Sequence, residues 1–228
     1  ILGGQWAYEE LGWGGFWAWD PVENAALMPW LTGTAFLHSV MIQEKRNMLK
    51  IWNVVLIILT FGLTIVGTFL TRSGIINSVH AFTQSEIGPA FLIFLAFILV
   101  IGFSLLFKRI QMLESEHKIE SVLCRENTFL AQNVLLVGIA FTVLLGTTFP
   151  LLAEAVRGTK LSIQAPFFNT IIAPMGYIVL FLMGIGTLIA WRKSSWEGLS
   201  RNFKKPFILA TAGTVFLWWL LSDRNLLL

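Results

Sequence analysis

The stretch WGGFWAWDPVENAALMPWLTGTAFLHS, residues 13–39, places a cluster of aromatic side chains directly before a long apolar segment. The letters DPVE at 20–23 are typical of a helix start, because Asp20 can cap the first turn, proline suits the first helical position and Glu23 can close a capping box. The pattern therefore predicts a loop that ends at Asp20 and a helix that follows it. Pro29 lies inside that helix, and we expect it to kink the helix or open it locally.

The composition of the whole chain indicates a membrane protein. Of its 228 residues, 56% are hydrophobic and 13% are charged, which is more apolar surface than a soluble domain of this size can bury. Apolar runs of about 20 residues are long enough to cross the bilayer as helices. We predict an all-α, polytopic membrane protein with about six transmembrane helices, near residues 24–42, 51–70, 89–107, 129–152, 170–190 and 206–222.

The predicted topology divides the chain into two parts. Residues 1–42 hold the tryptophan-rich outer loop and the first full transmembrane helix, and residues 43–228 hold the remaining helix bundle, including an outer loop at 71–88.

Basic residues indicate the orientation. Twelve of the sixteen lysines and arginines fall in three alternate segments, 43–50, 108–128 and 191–205. Because cytoplasmic loops collect basic residues, these segments are predicted to face the cytoplasm or its equivalent, and the tryptophan loop and loop 71–88 share the opposite side. The basic segments are short and mixed with acids, so topology explains them and no nucleic-acid partner is predicted.

The chain has a single cysteine, Cys124. One cysteine excludes a disulfide within the chain, and no CxxC motif is present. A thiol oxidoreductase and a c-type cytochrome are therefore excluded.

Two interpretations fit the aromatic cluster before Asp20. One is a belt of tryptophans at the level of the lipid headgroups. The other is a binding site for a large planar ligand, because flat rings suit such a ligand and neighbouring glycines let the backbone approach it closely. The residues concerned are Trp13, Gly14, Gly15, Phe16, Trp17 and Trp19.

The three histidines differ in their surroundings. His38 lies about 22 Å along the first predicted helix, where an ionisable group in the bilayer is costly and by default functional. It is either a neutral imidazole bonded to another helix or an axial ligand of haem iron. His80 lies in the outer loop, as a solvated side chain or as a ligand of a haem at the membrane edge. Arg72 can pair with a porphyrin propionate or anchor the interface. His117 lies in a charged stretch and is predicted to be solvated.

Two stretches carry a resemblance to known proteins. Residues 13–39 resemble the tryptophan-rich WWD signature of haem-handling proteins in cytochrome c biogenesis. The stretch GTFLTRSGIINSVHAF, residues 67–82, is similar to one branch in particular, the CcmF family of haem lyase subunits. ENTFLAQNVLLV at 126–137 and APFFNT at 165–170 resemble that family too, so the resemblance covers essentially the whole chain.

The resemblance implies a function in cytochrome c maturation. Members of the family take haem from a haem-carrier protein, work with other maturation subunits, and join the haem vinyl groups to the two thiols of a CxxCH motif in apocytochrome c. The resemblance implies that His38 is an axial ligand of a haem b inside the membrane, which keeps the substrate haem reduced. It also implies an outer-face site for that substrate haem, with His80 as axial ligand and a loop built from Trp13, Gly14, Gly15, Trp17, Trp19 and Asp20.

The implied location is the bacterial inner membrane, with the tryptophan loop facing the periplasm, or the mitochondrial inner membrane if the gene is a split organellar one. The family pairs each axial histidine with a second one, upstream of the loop or far downstream, and neither is present in this chain. Together with a first residue that is Ile1, this leads us to expect a central fragment or one product of a split gene, which supplies half of each axial set.

Three other functions fit the sequence. A haem transporter or exporter needs polar residues along several spans, and the sequence predicts few there apart from His38. A non-catalytic scaffold subunit of an assembly complex predicts no bound haem. A sibling lyase dedicated to nitrite reductase differs in its substrate, which the WWD motif does not reveal.

Overall fold

The computed structural model describes residues 5, 9, 17–73, 87–115, 117, 119–158 and 163–222. Within these residues the chain forms helices and no strand, which confirms the all-α prediction. In chain order the helices are α1 (Pro21–Arg46), α2 (Lys50–Arg72), α3 (Gly88–Lys108), a short 3-10 helix (Ile110–Leu113), α4 (Arg125–Arg157), α5 (Ala165–Leu188) and α6 (Trp196–Ser222).

Of the described helices, α1 to α5 are long and apolar enough to cross a membrane. The helix predicted near the end of the chain exists as α6, but it is not among these five. Its first three turns carry Glu197, Arg201, Lys204 and Lys205, so only its second half is continuously apolar. The basic segment predicted at 191–205 is therefore partly helical, and a sixth span remains a prediction.

The start of α1 follows the predicted capping box. The Asp20 carboxylate accepts a hydrogen bond from the Val22 amide at 3.0 Å, and the Glu23 carboxylate accepts one from the Asp20 amide at 3.1 Å. These bonds satisfy amides that the first helical turn leaves without an intrahelical acceptor. Asp20 therefore fixes how residues 17–19, the described end of the tryptophan loop, enter α1.

Pro29 does not interrupt α1, which runs unbroken to Arg46. Proline has no amide hydrogen to donate to the carbonyl of Ala25 one turn earlier. Gly67 of α2 packs against that carbonyl, since a Cβ added to Gly67 would lie 3.1 Å from the Ala25 oxygen. The glycine thus lets α2 approach α1 closely where the helix has lost a hydrogen bond.

Helix α1 forms the centre of the bundle and packs against α2 and α4, while α5 packs against α4 and α3 against α2. The core of this arrangement contains Met28, Ala35, Leu56, Val143 and Phe168. Antiparallel pairing of α1 and α4 follows from two contacts, Asn24 with Thr147 and His38 with Phe129. Residues late in α1 therefore lie beside residues early in α4.

Residues from the three predicted basic segments meet at one end of the bundle. Arg46 at the end of α1 contacts Glu120 at 2.6 Å and Glu126 at 3.3 Å, and the Glu126 carboxylate accepts from the Arg192 amide at 3.1 Å. We call this the basic end. The described part of the tryptophan loop lies at the opposite end, as the alternation of charge predicts.

The expectation that the spans are almost free of polar residues was wrong. Amides and hydroxyls pair between neighbouring helices, as Thr32 does with Thr60 at 2.8 Å and Asn24 with Thr147 at 3.0 Å. Such groups are common where membrane helices pack closely, so their presence does not by itself indicate a substrate path. The buried polar side chains within α1, α2 and α4 include Asn24, Thr32, Ser39, Asn53, Gln132, Asn133 and Thr147.

Candidate functional site

Trp19 is held in an unusual backbone conformation directly before the Asp20 cap. Its φ of 58° lies in the left-handed region, which a bulky residue adopts only when its surroundings compensate for the strain. The Asn24 side-chain amide donates to the Trp19 carbonyl at 3.1 Å. The indole stacks on Phe168 at 5.0 Å, and its Nε1 donates to Asn169 at 2.7 Å. The loop is therefore anchored on the first turn of α5.

Trp17 extends this anchor toward the exterior. Its ring meets Trp19 edge-on at 5.7 Å and 86°, and the residue is 39% exposed. We call Trp17, Trp19 and Phe168 the aromatic corner. The corner presents one exposed indole supported by two fixed rings, which suits contact with a flat partner.

A cleft of about 710 Å³ opens between α1, α4 and α5, below the aromatic corner. Its volume lies within the usual range of small-molecule and cofactor sites. The cleft begins at Trp19 and Asn169 and reaches His38 and Met183 near the basic end. From α1 it is lined by Leu27, Trp30, Leu31, Thr34 and His38, so Thr34 and Trp30 share one face of the helix with the histidine.

The His38 imidazole lies flat against Phe129 of α4, at 5.4 Å between ring centres and 8° between planes. Its Nδ1 is buried and makes no hydrogen bond with any described residue. A buried polar atom without a partner is costly, typically about 1–3 kcal/mol. One interpretation of His38 was a neutral imidazole hydrogen-bonded to another helix. Among the described residues, Nδ1 makes no such bond.

Gln132 presents a second unsatisfied group to the same cleft. Only 2% of this residue is exposed, and its Nε2 is buried without a partner among the described residues. It lies one turn beyond Phe129, on the same side of α4. The cleft thus combines apolar and aromatic walls with an imidazole, and this lining fits a large planar ligand such as haem, whose iron His38 would hold.

The structure describes four of the eight predicted site residues. It brings Trp19 and His38 together as the two ends of one cleft, and it places Trp17 on the aromatic corner. Asp20 caps α1 and is absent from the described lining of the cleft. The other four, Trp13, Gly14, Gly15 and His80, lie outside the described residues.

Four residues of the site were not predicted from the sequence: Phe129, Gln132, Phe168 and Asn169. All of them fall within the stretches ENTFLAQNVLLV at 126–137 and APFFNT at 165–170, which already resembled the family. The two stretches contribute Gln132, Leu136 and Asn169 to the described lining of the cleft, and their Phe129 and Phe168 stack on His38 and Trp19. The resemblance therefore identified the segments that carry these residues, but it did not identify the individual side chains.

Cys124 lies at the basic end, away from the cleft. It is buried, and its thiol donates to the Ser121 carbonyl at 2.9 Å. Burial raises the pKa of the Cys124 thiol, which suppresses the thiolate that thiol chemistry requires. This position agrees with the exclusion of a thiol oxidoreductase.

Gly146→Ala is expected to disturb the aromatic corner. The new Cβ would lie 2.5 Å from Cε1 of Phe168, a ring that is 2% exposed and fixed between Trp19 and Phe167. Overpacking of this kind costs about 1–3 kcal/mol. We expect a lower melting temperature in detergent and altered tryptophan fluorescence.

The matched control is Gly184→Ala in α5, where no described atom lies within 4 Å of the added Cβ. We expect this variant to melt like the wild type. Equal melting temperatures for the Gly146 and Gly184 variants would contradict the packing described for Phe168.

Comparisons with known proteins agree with this architecture. A family model described as "Cytochrome C assembly protein" matches residues 1–76. The chain is 47% identical to the cytochrome c-type biogenesis protein CcmF of Pseudomonas fluorescens, over 84% of this chain and 29% of that protein. It is 39% identical to the cytochrome c-type biogenesis protein CycK of Bradyrhizobium diazoefficiens, over 95% of this chain and 33% of that protein.

A solved structure named cytochrome c heme lyase CcmF superimposes with a TM-score of 0.70 at 40% identity. The superposition covers 95% of this chain and 31% of that one. The chain thus spans about a third of the length of the relatives it matches. Over most of its length the chain is therefore similar to a segment of the CcmF and CycK cytochrome c-type biogenesis proteins.

Proposed function

We propose that this segment provides haem-binding surfaces of a haem lyase subunit in cytochrome c biogenesis. The observation that carries the proposal is the cleft itself, which extends from Trp19 of the tryptophan loop to the half-buried imidazole of His38. A planar, largely apolar ligand fits the cleft, and the His38 imidazole can hold a metal at the centre of that ligand.

Inside the membrane, His38 would hold the iron of a haem b. Phe129 packs on one face of its ring, and Gln132 offers a hydrogen-bond donor nearby. When bound, haem b supplies one-electron redox chemistry that keeps a substrate haem reduced. The chain's own contribution is to orient the imidazole and to exclude water from the cleft with Leu31 and Leu136.

At the opposite end, the tryptophan loop would hold the substrate haem. The exposed Trp17 ring supports one face of the porphyrin, and Trp19 ties the loop to α5. Asp20 acts indirectly, by fixing the loop on α1. His80 would bind the substrate iron, and Trp13, Gly14 and Gly15 would complete the surface.

The lyase reaction needs no protein nucleophile. Each thiol of the CxxCH motif adds across a haem vinyl group, so that a carbon–sulfur bond forms and the thiol hydrogen moves to the neighbouring carbon, with no net oxidation. Holding the vinyl groups beside the thiols replaces a bimolecular encounter by an oriented one, which accelerates the step. The residues of the loop therefore act by position.

Partners and location follow from the same proposal. The substrate protein is apocytochrome c, and a haem-carrier protein and other maturation subunits supply and retain haem on the periplasmic side of the bacterial inner membrane. Membrane lipid covers the exposed apolar side chains of α3, among them Ile93, Phe97 and Val100.

One observation favours a second function, a haem transporter or exporter. The cleft is continuous between its two ends, as a path for haem along α1 would be. A transporter becomes dispensable for covalent attachment when haem is supplied on the outer side, whereas a lyase subunit does not. Added haem therefore discriminates between the two functions.

His80→Ala is expected to abolish covalent attachment. The protein is purified in detergent with the subunits that accompany it, and bound haem is measured as the pyridine haemochrome. Attached haem in a co-expressed c-type cytochrome is measured by haem staining after denaturing electrophoresis. We expect the loss of one haem and a fall in stained cytochrome of at least about tenfold, which corresponds to about 1.4 kcal/mol of lost free energy.

His117→Ala is the matched control, because His117 is exposed and lies away from the cleft lining. Unchanged haem and unchanged cytochrome staining in His80→Ala would overturn the outer site. A wild-type protein without any haem would indicate a scaffold subunit instead.

A further inference from the structure

Three aromatic rings form a column that runs from the basic end to the cleft. The His38 imidazole stacks on Phe129 at 5.4 Å and 8°, and Phe129 meets Trp191 edge-on at 6.0 Å and 77°. The three residues belong to α1, α4 and the loop after α5. Their contacts connect the candidate ligand to a loop outside the membrane-spanning helices.

The outer member of the column, Trp191, is held from two sides. Lys45 lies 4.8 Å from the centre of its ring and Arg125 lies 5.3 Å from it, both within the range of cation–π attraction. Arg125 also donates to the carbonyls of Ile189 at 2.9 Å and Thr187 at 2.7 Å. The Trp191 ring therefore cannot turn away without breaking several contacts.

The backbone of the same loop is tied to the start of α4. The Arg125 amide donates to Ala190 at 3.0 Å, the Ser194 amide donates to Leu123 at 3.2 Å, and the Arg192 amide donates to the Glu126 carboxylate. Phe129 lies one turn after Glu126 on α4. The loop and the helix are thus fixed together, and Phe129 is fixed between Trp191 and His38.

The His38 ring is restrained mainly through this column. Its Nδ1 makes no hydrogen bond with a described residue, although metal-binding histidines usually use their second nitrogen to fix the ring. Among the described ring contacts, Phe129 is the one partner of His38. Stacking therefore replaces the hydrogen bond as the restraint on the imidazole plane.

We propose that Phe129 is a positioning residue, which sets the plane of the His38 imidazole as an axial ligand with Trp191 as its support. The proposal rests on the proposed function, in which His38 binds the iron of haem b. The plane of an axial imidazole decides which iron d orbitals it overlaps. A ring freed from Phe129 will bind in a different plane, and the electronic state of the iron will change with it.

The test compares Phe129→Leu with Phe129→Tyr, which keeps a ring against the imidazole, and with Phe141→Leu, a matched control at an exposed phenylalanine of the same helix. Haem content, the g values of the low-spin ferric signal and the midpoint potential are measured on the purified complex. We expect Phe129→Leu to keep its haem within about twofold. Its reduction equilibrium should change at least about tenfold, which is about 59 mV for one electron, with shifted g values.

Phe129→Tyr and Phe141→Leu are expected to match the wild type in g values and midpoint potential. A Phe129→Leu protein with an unchanged spectrum and potential would overturn the positioning role and leave the haem site intact. If Phe129→Leu fails to retain haem, Trp191→Leu is measured instead. This variant removes the ring that supports Phe129, so its g values and midpoint potential should shift in the same way. If they do not shift, the proposal is overturned. A wild type without a low-spin haem overturns the haem site itself, and the positioning role with it.

Discussion

Replacing His38 with alanine is expected to remove one haem from the protein and to lower its content of haem b at least about tenfold. His38 is the single imidazole in the described lining of the cleft, and alanine offers no atom that can bind iron. The fold should persist, because the side chain is only half buried and its loss opens onto an existing cleft. The measurement is the pyridine haemochrome, together with the reduced-minus-oxidised difference spectrum.

A chemical rescue makes the test of His38 sharper. The space left by the imidazole adjoins the cleft, so free imidazole added to the His38→Ala protein should restore part of the spectrum. Leu37→Ala is the matched control, since Leu37 is the preceding residue of α1 and is exposed. An unchanged haem content in His38→Ala, or an equal loss in Leu37→Ala, would remove the ligand assignment.

Arg46→Leu is expected to destabilise the basic end by about 3–5 kcal/mol, the usual result of removing one partner from a buried ion pair. Arg46 is 7% exposed and Glu126 is 3% exposed, so the carboxylate would lose its cation without gaining water. Their 3.3 Å contact is an ion pair without the alignment of a hydrogen bond. The apparent melting temperature in detergent should fall by about 10 °C.

Two further variants distinguish a buried ion pair from a general effect of charge. Arg157→Leu removes an exposed arginine at the other end of α4 and should change the melting temperature little. The double variant Arg46→Leu/Glu126→Gln leaves no unpaired charge at position 126, keeps an acceptor for the Arg192 amide, and should recover part of the lost stability. A double variant that melts lower than Arg46→Leu alone would contradict this explanation.

Several features of the protein follow from residues that are close together in the sequence. The capping box joins Asp20 and Glu23 across one helical turn, and the apolar runs that became α1 to α5 are continuous segments. The alternation of basic and non-basic segments correctly predicted which ends of the helices lie together, as the contact of Arg46 with Glu120 demonstrates. Local hydrogen bonding and hydropathy determine these features, and both can be read from the chain.

The candidate site was only partly predictable, because its residues are far apart in the sequence. Trp19 and Asn169 are separated by 150 positions in the sequence, and their hydrogen bond at 2.7 Å exists only when α5 lies beside the loop. The left-handed backbone of Trp19 has no sequence signature, because it depends on Asn24 and on stacking against Phe168. His38 was found because an ionisable residue is conspicuous in an apolar span, whereas Phe129 is one of nineteen phenylalanines.

By itself the sequence determined an all-helical membrane protein with a capped tryptophan loop, an intramembrane histidine and a consistent orientation of its basic segments. The tertiary structure decided which face of each helix turns inward, and so which residues share the cleft with His38. The physical reason is that helices such as α3 and α5 are apolar around their whole circumference, so hydropathy distinguishes no face. Close packing of α3 against α2 and of α5 against α4 makes that choice, through glycines and aromatic rings whose partners lie far away in the sequence.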